Sequence, residues 1–269
     1  MPIDTSSYYP EVDGPDKNNY ERSLNGTHTS LFGENSKEEI IIDSSLSDTP
    51  NKMEEGRNHH NEKSKDIITY ICNFLSWVLV PLIMPVYAII FIFRLSILDV
   101  VSPGLQTAFI FIIAGINFCV PVLLVLLLKF LGVVKDVGLN GQRERLIPYV
   151  ITVVCFGISA WFMASRGAPI WVSMFFAGGA LAGLINMLIN LKWKISAHAA
   201  AIAGVVALLI RLEKDVAAEP ALFVWLLITI GATGLLGSAR IWLGRHTVWQ
   251  VLAGYVVGFC SVFFLMAIH

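Results

Sequence analysis

From Ile67 onward the sequence alternates long uncharged windows with short charged stretches. The windows run over 67–93, 100–128, 146–165, 167–191, 195–210, 220–239 and 246–269. A membrane-spanning helix needs roughly 20 apolar residues, and six of the windows meet that length. The fifth is shorter, but Lys194 and Arg211 at its ends can reach past the apolar layer. The pattern therefore predicts an all-α polytopic bundle of about seven transmembrane helices. Pro81 and Pro85 in the first window and Pro121 in the second predict kinks there, or a first segment that re-enters without crossing. Gly179 with Gly183, and Gly254 with Gly258, have the spacing that lets two helices approach closely.

The first 65 residues behave differently. They are rich in Asn, Ser, Asp and Glu and show no apolar periodicity, so they are expected to form a disordered acidic tail (1–65) before an integral membrane domain (66–269). No signal peptide is read in them, because the first strongly apolar run begins near Ile67. The net charge of -1 hides this division: the tail holds 13 acidic against 7 basic residues, the remainder 7 against 12. With 55% hydrophobic and only 14% charged residues, and a mean hydropathy of +0.67, a soluble enzyme is excluded. Cys72, Cys119, Cys155 and Cys260 all lie in apolar runs without metal-ligand spacing and read as small hydrophobes.

Candidate chemistry gathers in three short stretches. They are Gln142–Pro148, Lys192–His198 and Ser238–Gln250. Two helices separate each from the next, so all three are expected on the same side of the membrane. Between residues 66 and 268 the only histidines are His198 and His246, one in the second stretch and one in the third. Ionisable groups at membrane helices are costly and usually functional. Arg143, Arg145, Lys194 and Arg240 can surround a phosphoryl group, and Ser196 is placed to cap a helix whose free amides favour an anion. Two histidines can then supply a nucleophile and a proton donor. Only Asp136 and Glu144 are available nearby as carboxylates, so no metal and no cofactor is expected.

These residues resemble the type-2 phosphatidic acid phosphatase superfamily, whose members are membrane-integral lipid phosphatases. Ile195-Ser196-Ala197-His198 is similar to that family's Pro-Ser-Gly-His motif. Arg240, five residues, His246, three residues and Gln250 repeat the spacing of its Ser-Arg-x5-His-x3-Asp motif, with Ala239 at the serine and Gln250 at the aspartate. In place of its Lys-x6-Arg-Pro motif, Gly138 stands at the lysine position relative to Arg145, Lys135 lies eight residues before Arg143, and Pro148 lies three after Arg145. Arg143, Arg145 and Lys194 are assigned its role.

The resemblance covers about residues 76–268 and implies a six-helix core. It also implies a phosphohistidine mechanism with His246 as nucleophile, His198 as general acid, and Arg240 and Ser196 as phosphate ligands. Gln250 can orient His246 through its carbonyl oxygen but brings no negative charge. The implied function is hydrolysis of a lipid phosphate or pyrophosphate. A lipid phosphotransferase of the same family and a non-catalytic anion-binding or transport protein are the alternatives. The expected partners are the bilayer and a membrane lipid phosphate, with no nucleic acid, and the expected location is a bacterial cytoplasmic membrane.

Overall fold

A computed structural model of the chain describes residues 49–132, 146–215 and 220–268. Among these, 85% are helical and none is in a strand, which agrees with the all-α expectation. Eight helices follow one another: α1 (Thr49–Val78), α2 (Met84–Arg94), α3 (Pro103–Phe130), α4 (Leu146–Ser165), α5 (Ile170–Asn190), α6 (Ala197–Asp215), α7 (Pro220–Trp242) and α8 (Val248–Ala267). Five of them, α3, α4, α5, α7 and α8, are long and apolar enough to cross a membrane. Most of the tail, with Arg143 and Arg145, lies outside the described residues, while α1 begins inside the predicted tail.

The first uncharged window is not one helix. It breaks between Val78 and Met84, where Pro81 lacks the amide that a continuing helix requires. Pro85 then sits in the first turn of α2, a position that needs no amide donor. At 11 residues α2 is about 16 Å long, half of the roughly 30 Å hydrocarbon layer. The kink expected at Pro81 and Pro85 is thus a full break, and α2 alone is too short to span that layer. Pro121 leaves a milder mark: α3 continues through it, but the turn Gly115–Cys119 widens so that the Val120 amide bonds the Gly115 carbonyl. The Asn117 amide nitrogen ties that turn to Ser159 of α4 at 2.7 Å.

At the centre lies α6, whose run of Ala, Val, Ile and Leu is buried almost throughout its length. Ala88, Ile89 and Ile92 of α2, Phe175 and Phe176 of α5, and Val262 and Met266 of α8 share its hydrophobic core. Helix α8 runs parallel to α6: the Ser196 amide bonds the Gln250 carbonyl at 3.2 Å near one end. Near the other, the Arg211 guanidinium donates to the Met266 carbonyl at 3.2 Å.

Glycine sets the spacing of this pair. A Cβ on Gly254 would lie 2.5 Å from the Ser196 carbonyl oxygen, and one on Gly258 would overlap the Ala200 backbone. Gly179 and Gly183 serve the α4–α5 contact in the same way, facing Phe156 and Val153. Because α6 and α8 are parallel and in close contact, the residues that open them arrive side by side. That juxtaposition builds the site.

Candidate active site

Ser196 begins the construction. Its hydroxyl accepts the Ala199 amide at 3.3 Å, capping α6 as the sequence suggested. The cap is completely buried and does not line the cavity described below, so Ser196 acts from behind the wall. One turn into α6, His198 hydrogen-bonds the backbone of Ser76 in α1 and lies in the electrostatic field of Arg240 and His246. The Ser76 carbonyl accepts one ring N–H, which fixes the ring plane. This anchor escaped sequence reading because any residue supplies a carbonyl; only the break after Val78 brings this one to His198.

The third stretch turns tightly before α8, with Gly244 in the left-handed region at φ 62, where a side chain would be strained. Amides of Arg245 and His246 both bond the Arg240 carbonyl, at 3.1 and 3.3 Å, which folds the loop back on α7. Lys194 crosses to it from the second stretch, its ammonium donating to the Arg245 carbonyl at 2.6 Å. Thr247 and Gln250 form a reciprocal capping box at the start of α8.

The capping box also defines the protonation of His246. Gln250 Oε1 lies 3.2 Å from the Thr247 amide and 3.2 Å from His246 Nδ1. A backbone amide can only donate, so the Gln250 atom facing it is the carbonyl oxygen. The same oxygen then requires a proton on Nδ1, which in the neutral ring puts the lone pair on Nε2. Gln250 therefore does for the tautomer what a carboxylate would do, without the charge.

A cavity of about 490 Å³ opens here. Its polar end is lined by Lys194, His198, Arg240, Arg245 and His246, so the second and third stretches come together as expected. Three cations line it, and among the described lining residues none is acidic. Arg240 Nε is buried without a hydrogen-bond partner. Helices α6 and α8 both start at this end, adding the positive ends of two parallel helix dipoles. The arrangement concentrates positive charge at this end of the cavity.

From there the cavity continues between α4, α5 and α6 along Phe156, Phe175, Gly179, Gly183 and Gly204. Val80, Pro81 and Leu82, the broken turn between α1 and α2, form another part of the wall. Irregular backbone within a membrane bundle is tolerated where it faces such a cavity. Asn186 and Asn190 of α5 also face it and were not singled out in the sequence, although polar residues four apart in an apolar window are a readable signal.

A helical membrane bundle with two histidines and three cations around one cavity is thus defined by geometry. Residues 191–269 match the family model of the PAP2 superfamily, a match that takes in Lys194, Ser196, His198, Arg240, His246 and Gln250. This segment, rather less than a third of the chain, is similar to that superfamily, and the five long apolar helices are those of a multi-pass membrane protein. No curated protein and no solved structure matches it.

Proposed function

We propose that the protein is a metal-independent phosphatase that hydrolyses a lipid phosphate or pyrophosphate through a phosphohistidine. What supports this reading most directly is the convergence of two histidines and three cations on one cavity wall, with no acid among the described lining residues. Arg240 and Lys194, joined by Arg143 and Arg145 of the first stretch, hold the phosphoryl oxygens and match the charge that spreads over them. Ser196 supports them by fixing the first turn of α6.

His246 Nε2 donates its lone pair to phosphorus, and the ester P–O bond breaks. His198 gives a proton to the departing alkoxide. In the second step His198 takes a proton from water as the water attacks the phosphohistidine, and the P–N bond breaks to release phosphate. An alkyl chain from the alcohol half of the substrate fits the apolar part of the cavity beyond the asparagines.

Phosphate release by the detergent-purified protein, measured over a panel of lipid phosphates and pyrophosphates, tests the reading. Activity is expected to persist in excess chelator, because among the described residues the wall carries no carboxylate to hold a divalent cation of the magnesium type. Abolition by chelator and recovery on metal addition would sink the metal-independent mechanism.

Gln250 gives a finer test. Gln250→Leu removes the acceptor that fixes the His246 tautomer, and kcat is expected to fall up to about 100-fold, the size of effect that misorientation of a reacting group produces. Gln250→Glu keeps the acceptor, adds the missing charge and is expected to match or exceed the wild type. Wild-type turnover by the leucine variant would show that Gln250 has no orienting role.

A further inference from the structure

Helix α5 presents one stripe to the cavity: Phe175, Gly179, Ala182, Gly183, Asn186 and Asn190. Asn190 stands nearest Lys194 in sequence, at the polar end. Asn186 lies one turn before it, about 6 Å deeper along the helix axis, and the glycines and Phe175 follow. The two amides thus occupy the boundary between the cationic end and the apolar slot.

Both asparagines are nearly inaccessible, at 3% and 2% exposure. Asn186 Oδ1 and Asn190 Nδ2 are buried without any hydrogen-bond partner. In folded proteins buried polar side-chain atoms are almost always partnered, and the exceptions call for an explanation. The other orphaned amide atom in the bundle, Asn117 Oδ1, belongs to a side chain already bonded to Ile113 and Ser159. Asn186 and Asn190 differ: they face a cavity and stand one turn apart on one face.

We propose that Asn186 and Asn190 form a neutral hydrogen-bonding subsite for the oxygen-bearing linker between the phosphate and the hydrocarbon chains of the substrate. This rests on the reading of the cavity as a lipid phosphate site. An amide neither adds to nor offsets the charge of the three cations, so the pair does not suit a second phosphate, which Lys194, Arg240 and Arg245 would hold. It offers a donor and an acceptor, the complement of ester carbonyls and hydroxyls. A glycerol-type linker places such oxygens directly beyond the phosphate. A prenyl phosphate or pyrophosphate has only carbon there and would leave both amides buried against hydrocarbon. The subsite therefore selects phosphorylated lipids with an oxygenated linker over prenyl ones.

The test compares kcat/KM on hexanoyl lysophosphatidate, a phosphatidate whose linker carries one ester carbonyl for Asn190 and one free hydroxyl for Asn186, with that on farnesyl phosphate and farnesyl pyrophosphate. The wild type, Asn186→Leu and Asn190→Leu are measured as full-length protein in detergent. Leucine has the same branched heavy-atom skeleton as asparagine and no polar atom. The wild type is expected to prefer the phosphatidate. Each variant is expected to lose about tenfold on it, the scale of one hydrogen bond, and to stay within about twofold of wild type on the farnesyl substrates.

A wild-type preference for the farnesyl substrates overturns the proposal without any variant. Equal losses on both classes, or none on either, overturn it as well. If the wild type hydrolyses neither class, the phosphatase reading fails by itself, and the subsite is then judged by binding. A thermal shift that the lysophosphatidate produces and farnesyl phosphate does not, lost in both leucine variants, supports it; equal shifts in all proteins refute it.

Discussion

His246→Ala is expected to lose phosphate release by a factor on the order of 10⁴ or more, as removal of a covalent nucleophile does elsewhere. The protein should remain folded, since His246 lies in the loop before α8 and outside the hydrophobic core. In the proposed mechanism its contribution is chemical: Gln250 faces Nδ1, and Nε2 is the nitrogen assigned to attack phosphorus. The direct readout is a phosphoenzyme. Brief exposure to a lipid carrying labelled phosphate, followed by alkaline quench, should leave label on the wild-type chain and none on His246→Ala. A phosphoramidate survives alkali and is cleaved by acid, so the label should be lost at low pH. Retained turnover in the alanine variant, or acid-stable label on another residue, would remove His246 from the nucleophile's place.

How far this site was legible in the sequence depended on the kind of interaction involved. Arg240, His198 and His246 were legible because charges and imidazoles are rare in apolar windows, and the even number of helices between stretches put them on one side. The packing of α6 on α8 was legible in Gly254 and Gly258. Pro81 and Pro85 announced a kink or a re-entrant first segment, but not which backbone groups it would free or what they would meet, since proline is tolerated in many membrane helices. The break mattered most, because it supplies the Ser76 carbonyl to His198 and three residues to the cavity wall. The burial of Ser196 behind the wall was equally hidden: a serine two residues before a histidine reads as a ligand whether its hydroxyl faces a phosphate or the next turn. The asparagine pair was visible but unweighted, because attention to charge passes over neutral amides. Charge and glycine spacing are written in the sequence, then, while backbone donors and acceptors become functional only through the fold.

The second large effect concerns His198, and its size should depend on the leaving group. His198→Gln keeps a side chain that can still bond the Ser76 carbonyl but cannot deliver a proton. On a lipid phosphate, where a poor alkoxide departs, kcat is expected to fall by about 10²–10⁴-fold, the range that general acid catalysis contributes. An aryl phosphate such as p-nitrophenyl phosphate leaves as a stabilised phenolate and needs no proton at that moment. Its first step should be nearly unimpaired in the variant. The second step still suffers, because water attacking the phosphohistidine must lose a proton to His198. The variant should therefore release a rapid burst of about one equivalent of nitrophenol and then slow sharply, with phosphate retained on His246. Stopped-flow absorbance measures the burst, and the acid-labile label confirms where the phosphate rests. Equal slowing of both substrates without a burst would mean that His198 positions the phosphoryl group instead of moving its proton. Catalysis would then have to find its acid elsewhere on the wall, and substitution of Lys194, which donates to the Arg245 carbonyl there, would be the next test.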